Sequence, residues 1–134
     1  MFSKATWAEA GKGKIPRVAA LVAAAELERI AALAAFTARS LRTPRPRPFG
    51  ASIVHTKSRK VLLRALNNVA REFDPSAHAE VRAIRLATKR PKQISLAGYT
   101  LYTTCEPCPK CMSTALWAGL DRVAGSYPRH FRAA

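Results

Sequence analysis

His78-Ala79-Glu80 is followed, 28 residues after the glutamate, by Cys108-Pro109-Lys110-Cys111, with Pro107 directly before the first cysteine. No other feature limits the fold as strongly. One histidine and two cysteines supply three ligands to a zinc ion and leave the fourth position to water, whereas a structural zinc site fills all four with protein. Cysteines three apart on a helical turn face the same way. Glu80, two residues past the histidine, is spaced to move protons at that water. The fold must therefore bring the two segments together.

A C-x-x-C pair alone also serves zinc knuckles and redox centres. A redox pair needs no His-x-Glu, and a knuckle needs a fourth protein ligand. The other candidates, Cys105, His55 and His130, repeat no paired spacing. The residues thus point to a catalytic zinc with Glu80 as its general base. Both ligand segments read as helix starts, where the partial positive charge favours thiolates.

A chain of 134 residues, 49% hydrophobic, suits a single domain with a real core. Its charge is unusual: 23 Lys and Arg against 8 Asp and Glu leave +15. Such a field attracts nucleic acid or an anionic membrane, although a solvated basic surface gives the same count. The basic residues are spread along the chain, with no run long enough to form a tail. Residues 18–25 are apolar but too few to span a bilayer, and Glu26, Glu28 and Arg29 follow at once. We expect a helix start there, not a cleaved signal, and no membrane partner. Three cysteines without an even disulfide set fit a reducing cytoplasm.

Residues 1–15 show no clear period and read as a flexible basic arm; residues 16–134 read as one domain. Pro16 opens a breaker-free, alanine-rich helix over 17–41. Leu21, Ala25, Leu27, Ile30, Leu33, Ala34 and Leu41 form its expected core stripe. Pro44, Pro46 and Pro48 end it and make a rigid connector. Strands are predicted over 51–56 and 61–69, joined by the polar hairpin loop Lys57-Ser58-Arg59-Lys60. Asp74-Pro75-Ser76 is turn chemistry. A helix over 79–89, a strand over 99–104, a helix over 109–120 and a strand over 122–127 complete the chain. Strands linked through helices suggest parallel crossovers, and the hairpin adds an antiparallel edge. The expectation is an α/β, three-layer α-β-α sandwich with a mixed sheet. An unfinished sheet edge needs cover, so a homodimer is expected.

Residues 48–125 resemble the cytidine/deoxycytidylate deaminase superfamily, and within it the guanine deaminase-like branch. The matching text is Pro48-Phe49-Gly50-Ala51, Asn67-Asn68-Val69, Asp74-Pro75-Ser76-Ala77-His78-Ala79-Glu80-Val81, Leu101-Tyr102-Thr103-Thr104-Cys105-Glu106-Pro107-Cys108-Pro109-Lys110-Cys111 and Leu116-Trp117-Ala118. His-x-Glu with Pro-Cys-x-x-Cys is the signature of zinc deaminases. The resemblance implies that His78, Cys108 and Cys111 bind zinc and that Glu80 shuttles protons. It also implies an enzyme acting on a nucleobase or nucleoside, with guanine to xanthine as the sharpest guess. Asn67, Ala79, Phe49 and Trp117 become the substrate-contacting positions, although a turn asparagine and a core tryptophan are the plain alternatives for two of them. Cys105 becomes a buried structural member of the zinc loop.

Two departures from the family pattern stand out. Only Pro128-Arg129-His130-Phe131-Arg132-Ala133-Ala134 follow the last predicted strand, so the further strand and helix of the family are expected to be short or missing. The charge also exceeds what a free-base enzyme needs. Two other functions therefore stay open: a deaminase acting on RNA or single-stranded DNA, and an inactive deaminase-fold module that binds nucleic acid.

Overall fold

The computed structural model describes the backbone of residues 17–125 and the side chains of residues 24–125. The expected arm at 1–15, His130 and the end of the last predicted strand lie outside the described residues. The elements are α1 (Arg17–Ser40), β1 (Gly50–His55), β2 (Val61–Leu66), α2 (Val69–Glu72), α3 (Ala79–Lys89), β3 (Tyr99–Thr103), α4 (Pro109–Trp117) and β4 (Arg122–Gly125).

The strands form one mixed sheet in the order β2-β1-β3-β4. β1 is antiparallel to both neighbours, with Ala51 opposite Ala65 on β2 and Ile53 opposite Leu101 on β3. β3 and β4 are parallel, with Leu101 opposite Val123. The expected crossovers are therefore half right. The one through α4 joins adjacent parallel strands. The one through α3 joins β2 to β3, which run the same way but have β1 between them.

Being central, β1 is buried on both faces and lacks the polar alternation of a half-solvated strand. On one face Ala51, Ile53 and Leu101 pack with Ala83 and Ile84 of α3 and Ala115 of α4. On the other, Val54, Tyr102 and Ala124 pack against Leu33 of α1, with Ile30 and Phe36 alongside. This is the expected three-layer sandwich. Among the described residues no helix is long and apolar enough to cross a membrane.

The stripe expected on α1 is corrected. Of the expected positions Ala25 and Ile30 are half-buried, Leu27, Ala34 and Leu41 are exposed, and the side chain of Leu21 lies outside the described residues; the buried positions are Leu33, as expected, and Thr37 and Ser40. Two of these are polar, and each is satisfied. The Thr37 hydroxyl donates to the Leu33 carbonyl at 2.9 Å. The Ser40 hydroxyl donates to the Arg47 carbonyl at 2.6 Å and accepts the Arg47 N–H at 3.1 Å, which ties the proline connector to the helix. Apolar spacing alone finds only part of the face, because Thr37 and Ser40 are buried through hydrogen bonds. Thr37 also sits over Gly50, where any Cβ would collide with its Oγ1.

The strand predicted over 61–69 stops at Leu66. The Asn67 side-chain oxygen accepts the Val69 N–H at 3.1 Å, which turns the chain into the single helical turn α2. The helix predicted over 109–120 ends at Trp117, and Gly119 follows at positive φ.

Candidate metal centre

His78 and Cys108 occupy equivalent places: each is the residue before the first turn of a helix, α3 and α4 respectively. Both have extended backbones, and their carbonyls accept the first helical hydrogen bonds, from Arg82 N–H at 2.9 Å and Met112 N–H at 3.0 Å. Neither side chain caps its helix, and the two turn toward each other. Pro109 starts α4 with its φ already helical. Cys111 follows one turn later and is fully buried.

The three donors meet. Cys108 Sγ lies 3.7 Å from His78 Nδ1, Cys111 Sγ lies 3.6 Å from the same nitrogen, and the sulfurs are 3.5 Å apart. A tetrahedral zinc with bonds of about 2.3 Å to sulfur and about 2.0 Å to nitrogen has ligand edges of about 3.8 Å and about 3.5 Å. The donor set therefore fits zinc in both chemistry and spacing. Among the described residues no other group of three or more His, Cys, Asp and Glu side chains is close enough to hold an ion.

Glu80 is 5% exposed, on the first turn of α3, and its charge reaches the cluster. Without a cation, burial first, then Glu80 and then Cys108 push the Cys111 thiol well above the ordinary cysteine range, with Lys110 partly opposing. A metal ion must displace such protons to bind, which couples its affinity to pH.

The ligand loops are braced. Asp74 Oδ1 accepts both the N–H and the hydroxyl of Ser76 at 2.7 Å. Arg85 donates to Asp74 Oδ2 at 3.3 Å and to the Ser76 hydroxyl at 3.1 Å. Asn68 N–H donates to the carbonyl of Ala77, the residue before His78, at 2.9 Å. Lys110 Nζ donates to the Ser76 carbonyl at 3.1 Å. Sequence reasoning found the Asp-Pro-Ser turn but missed Arg85 and Lys110. Lys110 carried no local signal, because its partner is 34 residues away.

The other expected site residues separate. Phe49 and Asn67 share an open cleft of about 560 Å³ beside α2. Ala79 is buried in the core, so only its backbone can meet a ligand. Trp117 is 87% exposed, at the far end of α4 from the cysteines. Cys105 is half-buried rather than buried; it is outside the ligand group, and its sulfur lies 3.5 Å from the Glu106 carbonyl. His55 packs edge-on to Tyr99, and its Nδ1 accepts the Ser58 N–H.

Residues 23–126 match the cytidine and deoxycytidylate deaminase zinc-binding region. The chain belongs to this deaminase family. Among curated relatives, guanine deaminase of Bacillus subtilis is 48% identical over 71 residues, which is 53% of this chain and 44% of that protein. The tRNA-specific adenosine deaminase of Aquifex aeolicus is 38% identical over 76 residues, 57% of this chain and 49% of that one. The X-ray structure of the Bacillus guanine deaminase aligns with TM-score 0.62 and 37% identity, over 76% of this chain and 62% of that one. A structure from a study of A-to-I editing by tRNA:A34 deaminases aligns with TM-score 0.67 and 30% identity, over 76% and 72%. The chain thus spans about half the length of the curated relatives it matches. The deaminase family's zinc-binding region contains His78, Cys108 and Cys111, the three donors that meet here.

Proposed function

We propose that this chain catalyses hydrolytic removal of an amino group from a purine base, guanine to xanthine and ammonia being the leading case. One observation carries the proposal: three donors at tetrahedral spacing, with the buried Glu80 carboxylate two residues from the histidine among them. The 48% identity to a guanine deaminase supports the choice of base.

His78, Cys108 and Cys111 would hold zinc, which when bound supplies Lewis acidity and makes a water acidic near pH 7. Glu80 takes a proton from the attacking water and delivers it to a ring nitrogen. It then carries the second proton to the departing amine, so that one water is consumed and one ammonia released. The first-turn N–H groups of α3 and α4 face negative charge favourably as it develops at the attacked carbon's oxygen. Phe49, Asn67, the Ala79 backbone and Trp117 are the proposed contacts to the base. The exposure of Trp117 is consistent with a site completed by a second copy, in the cytoplasmic homodimer we propose.

A second reading is supported by the +15 charge and by the likeness to tRNA deaminases: the base is part of RNA or single-stranded DNA. The test is ammonia release by zinc-loaded protein from guanine, adenine, cytosine, their nucleosides and a single-stranded oligonucleotide. Release from guanine, lost in Glu80→Ala, is the expected result. Release from the oligonucleotide alone moves the substrate to nucleic acid. No release from any of them, with zinc bound, leaves a binding module and overturns both readings.

A further inference from the structure

The open cleft beside α2 is lined by basic and aromatic side chains. Arg45 and Arg47 come from the proline connector, and Arg71 comes from α2. None of the three has a carboxylate partner among the described residues. The nearby acids are committed elsewhere, Glu72 to Arg82 and Asp74 to Arg85. Arg47 Nη1 donates to Asn68 Oδ1 at 2.8 Å, but its Nε is buried with no hydrogen-bond partner. Burial first, and then the charges of Arg71 and Arg82, lower the Arg47 pKa. Two phenyl rings flank these cations. Phe49 is 46% exposed, and Phe73 is 94% exposed on a left-handed backbone at φ 51°. A bulky residue held in that conformation and presented to water is unusual. Cations beside exposed ring faces form the chemical pattern that holds single-stranded nucleotides: phosphate on the guanidinium, base on the ring. The cleft is also next to the metal centre, since Asn68, the partner of Arg47, hydrogen-bonds the residue before His78.

We propose that Arg45, Arg47 and Arg71 form a phosphate-binding subsite, which takes the phosphate of a nucleotide whose base is at the metal centre, so that the site accepts phosphorylated substrate as well as the free base. The inference rests on the deaminase reading for its orientation but not for its test. A nucleoside monophosphate and a polynucleotide offer the same chemistry, and binding separates them.

The measurement is equilibrium binding to zinc-loaded Glu80→Ala protein, which holds substrate without turnover. The ligands are guanosine, guanosine 5′-monophosphate and a short guanine-containing single-stranded oligonucleotide, with inorganic phosphate as competitor. At least one phosphorylated ligand should bind about 10-fold or more tighter than guanosine and be displaced by phosphate, charge-assisted hydrogen bonds being the strong ones. Preference for the monophosphate identifies a free nucleotide; preference for the oligonucleotide identifies a polynucleotide. Arg71→Gln, at an exposed position, should abolish most of that preference, and Arg47→Gln should do so if thermal melts show it folded. Arg90→Gln, at the end of α3 and lining a different cleft, is the control for diffuse charge. Equal affinity for all three ligands overturns the proposal, as does an equal loss from Arg90→Gln and Arg71→Gln. If affinities are equal while guanine is still deaminated in a Glu80-dependent way, the subsite alone fails and the deaminase reading stands. If phosphorylated ligands bind selectively and nothing releases ammonia, the reverse holds.

Discussion

Lys110 lies between Cys108 and Cys111, yet its ammonium reaches out of that turn to the carbonyl of Ser76, 3.1 Å away and two residues before His78. One side chain thus fastens the cysteine turn to the histidine loop. It also places a positive charge where thiolates must form. Lys110→Met keeps the stem and removes both effects. Zinc affinity should fall about 10-fold or more, as is usual when outer partners of metal ligands are lost. Competition with a chromophoric chelator measures it, and unchanged affinity would show that the brace is dispensable.

Gly50 is required by Thr37, not by a turn. A methyl at residue 50 would strike the buried Thr37 hydroxyl. Gly50→Ala should destabilise the fold by about 1–3 kcal/mol, the usual cost of overpacking. Adding Thr37→Ala should recover part of that loss, because the two sites share one space. Denaturant titration of the four proteins of this cycle gives the coupling.

Asp74 makes the histidine loop sensitive to acid. The Ser76 hydroxyl, then the Ser76 N–H, and then Arg85 hold its carboxyl below its ordinary value of 3.8. A carboxyl depressed in the folded state adds stability that is fully present above that ordinary value and lost as the pH falls through the folded one. Asp74→Asn should therefore be less stable than the parent at pH 7. The gap should close as the pH drops below 3.8. A gap that persists in acid would mean that shape, not charge, holds the turn.

Trp117 separates packing from binding. At 87% exposure it contributes little to this fold, so Trp117→Ala should change stability by less than about 0.5 kcal/mol. If it contacts substrate as proposed, KM should rise several-fold while the melting temperature stays put. A large drop in melting temperature would place the ring at a structural interface.

Much of this was legible in sequence. The His-x-Glu and Cys-x-x-Cys spacing pointed to the three donors that meet in the fold, because ligand geometry leaves few solutions. The helix over 79–89 was read to the residue, its apolar spacing being clean. The stripe of α1 was read only in part, right at Ile30 and Leu33, because Thr37 and Ser40 are buried through hydrogen bonds to Leu33 and Arg47, which composition does not reveal. The sheet order was half-read: adjacency depends on packing across the whole sheet, and local pattern does not say that β1 lies between β2 and β3. The arginine cleft was invisible for the same reason, since Arg47 and Arg71 are distant in sequence and meet only in the fold.

His78 and Cys108 are 30 residues apart along the chain and 3.7 Å apart in space. Everything between them, α3 and β3 included, forms a ring that a bridging ion would close. Closing such a ring restricts the unfolded chain much as a disulfide does, and metal-binding free energy becomes folding free energy. The centre is then also a clasp: losing its ion would loosen the docking of α3 beside α4 as well as stop the proposed chemistry, so metal supply would set how long the protein lasts.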